Sequence, residues 1–222
     1  MRYLDLLTAL FATVLLVSNV ASTKLVVLGP FTFDGGTLLF PLAYIFGDVL
    51  TEVYGYRKSR RVIWIGFFAL LLATLTFQAV AHLPAPPDAE SQRFGEAFGL
   101  LLGLTPRIVL GSLLAYFLGE FANAYVLAKL KVRTEGRFFW LRALASTLVG
   151  QGLDTGVFLL VAFYGVFPKE VLLAVFLSNY AFKLGVEALM LPFTYAVVGF
   201  LNRAEGMDAY DRDTDFNPFR LT

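Results

Sequence analysis

Six mostly apolar stretches divide the chain: about Leu4–Ala21, Leu38–Tyr54, Val62–His82, Arg107–Ala128, Leu141–Tyr164 and Val171–Leu201. Most are near twenty residues, roughly what an α-helix needs to cross a hydrocarbon core ~30 Å thick. The two-residue alternation of a β-barrel is absent, and only a helix closes its own backbone hydrogen bonds in lipid. The pattern therefore predicts an all-α integral membrane protein: one six-helix transmembrane domain over residues 1–222, with a tail from 202 to 222. The last stretch is long enough to tilt or to extend past the bilayer. A Pro-rich segment, LPAPPDAESQRFGEAFGLLLGLTP, interrupts the series, and its portion Phe94–Leu104 can form an interfacial amphipathic helix or a lid.

Polar residues inside these stretches fall at helical spacing. In FPLAYIFGDVLTEVYGYRKSRR, Phe40, Tyr44, Asp48 and Glu52 recur every fourth residue and share one face, while Leu42, Ile45, Phe46, Val49, Leu50 and Val53 form a face for lipid or protein. Span one ends with Ser18, Asn19, Ser22 and Lys24. Span four carries Ser112, Tyr116, Glu120 and Asn123, span five Thr147, Gln151, Asp154 and Phe158, and span six Asn179, Lys183 and Glu187. An ionised side chain facing lipid costs about 2.5–3.5 kcal/mol on insertion scales, so these stripes face a bundle interior or cavity. Each also has a plainer reading. Asp48 and Glu52 can snorkel or pair with Arg57, Lys58, Arg60 or Arg61, Lys183 can pair with Glu187, and the neutral residues can join helices without binding a ligand.

Cations orient the chain. Arg57, Lys58, Arg60 and Arg61 follow span two, Lys129, Lys131, Arg133, Arg137 and Arg142 follow span four, and Arg203, Arg212 and Arg220 follow span six. The opposite loops hold only Lys24, Arg93, Arg107 and Lys169, so both termini are expected in the cytoplasm. Trp64 and Trp140, beside cationic clusters, read as interfacial anchors, and His82 as an interfacial residue without a role.

Composition agrees: 58% of residues are hydrophobic, only 16% are charged, and 23 phenylalanines exceed what a soluble core of 222 residues could hide. A net charge of +1 says nothing by itself about nucleic acid, although no nucleic-acid partner is expected, and the lack of cysteine excludes disulfides and thiolate chemistry. No nucleotide-binding, metalloprotease or serine-hydrolase motif is present. A membrane enzyme using Asp48 and Glu52 as acid and base is the competing chemistry; the expectation is no enzyme, no cofactor and no metal.

The segments SNVASTK, FPLAYIFGDVLTEVYGYRKSRR, GSLLAYFLGEFAN, RFFWLRALASTLVGQGLDTGVF, KLGVEALMLPFTYAVVGFL and DAYDRDTDFNPF occur in that order along nearly the whole chain. Together they resemble the queuosine precursor transporter family, also called vitamin uptake transporters. The resemblance implies a multi-pass protein of the cytoplasmic (inner) membrane that imports 7-deazaguanines: 7-cyano-7-deazaguanine, its aminomethyl relative or queuine, salvaged for tRNA modification. It also implies a fold similar to the substrate-binding subunits of energy-coupling-factor vitamin importers, and the alternative function is such a subunit, driven by a separate ATPase. The Pro-rich loop has no counterpart in the resemblance.

Residues in the matching motifs, Asn19, Lys24, Asp48, Glu52, Gln151, Asp154, Lys183 and Glu187, are the binding positions the resemblance implies. A guanine-like base presents adjacent N–H donors, a carbonyl and two flat faces. Asp154 or Glu187 could take the donors, Gln151 or Asn179 the remaining edge, and Phe40, Tyr44 or Phe158 the faces. Glu187 ranks first for the grip and Asp154 second. Expected partners are the small-molecule substrate and membrane lipid, and an apolar outer surface permits a homodimer.

Overall fold

The computed structural model describes residues 1–28, 31–104 and 106–220, so Thr105 of the Pro-rich loop lies outside the described residues. Every expected span is helical: α1 (Leu4–Ala21), α2 (Phe40–Tyr54), α3 (Tyr56–Ala81), α5 (Pro106–Arg133), α6 (Phe139–Phe163) and α7 (Lys169–Glu205). The Pro-rich loop contributes α4 (Ala89–Leu102), opened by the Asp88 carboxylate, which accepts the Ser91 N–H at 2.8 Å. One departure from all-α is an antiparallel hairpin of β1 (Leu25–Leu28) and β2 (Phe31–Asp34), in register Val26 with Phe33 and Val27 with Thr32. A 3₁₀ turn, Gly35–Leu38, leads from it into α2.

Several helices outrun the apolar stretches. α3 starts at Tyr56 instead of Val62, and α5 continues to Arg133. Arg and Lys are good helix formers, so hydropathy marks where lipid begins and not where the helix stops. Gly55 separates α2 from α3 with a φ of 81°, a left-handed conformation that glycine adopts without strain.

Among the described residues, five helices, α1, α3, α5, α6 and α7, are long and apolar enough to cross a bilayer. With 15 residues, α2 spans only about 22 Å. It packs against α1, α3, α5 and α7, and Ile45, Val49, Leu50 and Val53 are buried against protein. The face that sequence left open between lipid and protein is thus a protein face, and α2 is the axis of the bundle.

The N-terminus and the end of α7 share one side, where the Arg2 and Tyr3 amides donate to Glu205 at 3.0 and 2.8 Å. The chain after α7 runs back across this terminal side. Tyr56 N–H donates to Asp211 at 2.9 Å, Arg60 to the Asp215 and Asn217 carbonyls at 2.9 and 2.6 Å, and Trp64 Nε1 to the Pro218 carbonyl at 2.8 Å. Trp64 also contacts Phe67, Phe68, Phe117, Phe121 and Phe219, so it rivets the tail to α3 and α5 and is no free interfacial anchor. Outside the membrane segments, the Arg220 guanidinium, 2.7 Å from Asp215, holds that carboxyl below its ordinary value, helped by the Asn217 amide.

Candidate functional site

On the hairpin side the helices part around a cavity of about 350 Å³. Its wall takes Asn19 from α1, Ser22 and Thr23 from the turn after it, Thr37 and Phe40 from the α2 entrance, Leu70 from α3, and Ser112 and Tyr116 from α5. Asp154, Thr155, Phe158 and Phe163 come from α6, and Asn179 and Lys183 from α7. The size suits a small-molecule pocket.

One ion pair stands on this wall. Lys183 Nζ lies 3.1 Å from Asp154 Oδ2, with the two side chains 11% and 13% exposed, and 4.9 Å from the centre of the Phe40 ring. The Lys183–Glu187 pairing considered from spacing is not formed. Lys183 instead reaches across to α6, and Asp154 therefore becomes the carboxylate on the cavity wall.

Below the cavity the same helical stripes continue inward. Tyr44 and Asp48 follow Phe40 on α2, Thr147 and Gln151 precede Asp154 on α6, and Glu187 follows Lys183 on α7; all five deeper side chains are buried. Asn123 Nδ2 donates to Asp48 Oδ1 at 2.8 Å, and Glu120 is buried one turn away. Glu187, ranked first for gripping a ligand, does not reach the cavity wall, because its position on α7 lies one turn deeper than Lys183, among Asp48 and Thr147.

This depth requires close helix packing. At the α5–α6 crossing, a Cβ on Gly119 would stand 2.8 Å from the Asp154 Cβ and 2.9 Å from the Tyr44 hydroxyl. A Cβ on Gly150 would stand 2.8 Å from the Asn123 Cβ. Two glycines face each other there because nothing larger fits.

At the terminal side the α2 stripe ends in an ionic knot. Glu52 accepts two parallel bonds from Arg142 at 2.9 Å each, and Lys131 Nζ lies 3.5 Å from Glu52 Oε1 while also bonding the Glu52 carbonyl and the Asp208 carboxylate. The pairing with Arg57, Lys58, Arg60 or Arg61 considered from sequence does not occur for Glu52. Those cations lie on α3 beyond the Gly55 break, whereas Lys131 on α5 and Arg142 on α6 reach Glu52 directly.

Of the twelve expected site residues, Asn19, Phe40, Asp154, Phe158, Asn179 and Lys183 meet on the cavity wall. Tyr44, Asp48, Gln151 and Glu187 lie beneath it, Glu52 is held in the knot, and Lys24 is exposed at the foot of the hairpin, away from the wall. Thr155, on the wall, drew no notice in the sequence; Ser112, Tyr116, Glu120, Asn123 and Thr147 stood on the polar stripes but were not chosen.

Long apolar helices around a mainly apolar cavity that holds an ion pair, with a stripe of acids running below it, define a multi-pass membrane transport protein. Comparison with known families makes this specific: the family described as "Putative vitamin uptake transporter" matches residues 34–197, and the chain belongs to it. The chain is 36% identical over 188 residues to a "Probable queuosine precursor transporter" of Bacillus subtilis (strain 168), covering 84% of this chain and 80% of that one. It is 27% identical over 168 residues to the "Queuosine precursor transporter" of Escherichia coli (strain K12), covering 73% and 71%. A "Probable queuosine precursor transporter" of Haemophilus influenzae is 26% identical over 166 residues, covering 73% and 67%. No solved structure matches, so the expected similarity to energy-coupling-factor subunits rests on sequence alone.

Proposed function

We propose that this protein imports queuosine precursors, the 7-deazaguanine bases, across the cytoplasmic membrane. It acts as one six-helix transmembrane domain with both termini in the cytoplasm, performs no catalysis and has no nucleic-acid partner. The names of its relatives support the substrate class, and the excess of Lys and Arg on the terminal side supports the orientation.

The observation that carries the reading is the Asp154–Lys183 pair on a cavity wall that also holds Phe40, Phe158, Asn19 and Asn179. A carboxylate accepts the two adjacent N–H donors of a guanine-like base, and an ammonium a few ångströms away donates to its carbonyl. The rings cover the flat faces, and the amides take the remaining polar edge. In a largely dry pocket, failing to satisfy such groups costs about 1–3 kcal/mol each, which favours this base class over bases lacking the donor edge. The apolar outer surface permits a homodimer within lipid.

The protein is a transporter in its own right in this reading, in preference to a binding subunit served by an ATPase. Purified protein alone in liposomes should take up labelled 7-cyano-7-deazaguanine until the concentrations equalise or a gradient drives it further. Binding without uptake by the protein alone would favour the subunit; release of a modified product would indicate an enzyme.

A further inference from the structure

Directly beneath the cavity, Asp48 (α2), Asn123 (α5), Thr147 and Gln151 (α6) and Glu187 (α7) are each no more than 2% exposed. The Asn123 amide nitrogen donates to Asp48 Oδ1 at 2.8 Å. Asp48 Oδ2, Asn123 Oδ1, Thr147 Oγ1, Gln151 Oε1 and both Glu187 carboxylate oxygens are buried without a hydrogen-bond partner. Thr147 and Asp48 both lie against Glu187. Gln151 stands one turn from Thr147 on the same α6 face. Four helices thus converge on six orphaned oxygens, three from two acids, two from amide carbonyls and one from a hydroxyl.

We infer that this cluster binds a monovalent metal cation, Na⁺, beneath the substrate cavity. The chemistry of the donors carries the assignment. The set is all oxygen, the preference of hard cations. It mixes two carboxylates with neutral amide and hydroxyl oxygens. Two acids set among neutral oxygens suit a single charge. A proton shared between Asp48 and Glu187 would satisfy two of the oxygens and leave the Asn123 and Gln151 carbonyls unpaired. A cation can accept carboxylate, amide and hydroxyl oxygens alike.

Charge points the same way. Glu120 is also buried at this level, whereas Lys183 is spent on Asp154, and Arg142 and Lys131 on Glu52 and Asp208. Buried acids at membrane depth without a cation are costly, and an ion offsets that cost. The placement also joins the ion to the cavity: Gln151 is one turn from Asp154 on α6, and Glu187 is one turn from Lys183 on α7. An ion that fixes those turns fixes the carboxylate and the ammonium above it. The coupling rests on the proposed substrate; ion binding stands without it.

The test uses the purified, full-length wild-type protein in detergent, with NaCl exchanged for choline chloride at constant ionic strength. The melting temperature should rise saturably with Na⁺ and not with choline, and the rise should vanish in Glu187→Gln and Asp48→Asn. 7-Cyano-7-deazaguanine should bind about 5–150-fold more tightly at saturating Na⁺ than in choline. A wild-type melting temperature indifferent to Na⁺ overturns the site, whatever the variants do. A melting temperature that follows pH and not Na⁺ overturns it in favour of a shared proton, and a Na⁺ effect that survives Glu187→Gln places the ion elsewhere. Na⁺ stabilisation with no binding of any deazaguanine leaves the ion site standing and removes the proposed substrate. Deazaguanine binding that ignores Na⁺, with no Na⁺ stabilisation, does the reverse.

Discussion

Removing the charge of Glu52 should destabilise the protein more than removing that of Asp48, even though both carboxylates sit on one stripe of α2. Glu52→Gln leaves the fully buried Arg142 guanidinium without its two 2.9 Å contacts to carboxylate oxygens, holding only the Gly136 carbonyl at 3.0 Å, and leaves Lys131 with Asp208. Breaking a buried pair from one side costs about 3–5 kcal/mol, because the surviving ion stays desolvated and uncompensated. At about 2–4 °C per kcal/mol for a chain of this size, the melting temperature should fall by roughly 6–20 °C. Trp64, held by the tail on the same side, supplies the fluorescence signal. A double variant, Glu52→Leu with Arg142→Met, removes both charges and should recover most of the loss. If Glu52→Gln melts within about 2 °C of wild type, the knot is not a structural clamp and Glu52 returns to the transport route.

Cysteine labelling tests the orientation in a chain with no native cysteine: Arg57→Cys and Glu135→Cys should resist an impermeant thiol reagent added outside intact cells, and Glu90→Cys should react. The reverse pattern would invert the topology. Gly150→Ala should cost about 1–3 kcal/mol by forcing α6 off Asn123, measured as a lower melting temperature, while Gly199→Ala, with nothing within 4 Å of its added Cβ, should be neutral. Asp211→Ala strips the Tyr56 amide of its acceptor and should cost about 1–3 kcal/mol and loosen the tail, read as faster proteolysis after Glu205. Unchanged cleavage would show that the aromatic contacts of Trp64 suffice.

The sequence showed the helices because lipid imposes a long, legible apolar signal, and it showed the stripes because a charge inside that signal stands out. Partner choice was less visible. Lys183 and Glu187 are four residues apart and read as a pair, yet the lysine crosses to Asp154 because α6 and α7 meet there, a fact of tertiary packing. Glu52 precedes four cations in sequence and binds two others, because the chain breaks at Gly55 and turns those four onto the next helix. Depth along a stripe was equally hidden: Phe40 lines the cavity, and Asp48, two turns along the same face, lies beneath its floor. Thr155 gave no signal, since one threonine among apolar residues is ordinary in a membrane helix.

The central claim is that Asp154 on the cavity wall grips the donor edge of a 7-deazaguanine, and a direct binding titration tests it most closely. Purified wild-type protein should bind 7-cyano-7-deazaguanine, and Asp154→Asn, which puts an N–H donor against the ligand's own donors, should weaken the affinity about tenfold to a hundredfold while Lys24→Ala, exposed and not part of the wall, leaves it unchanged. Near wild-type affinity in a folded Asp154→Asn protein would contradict the account.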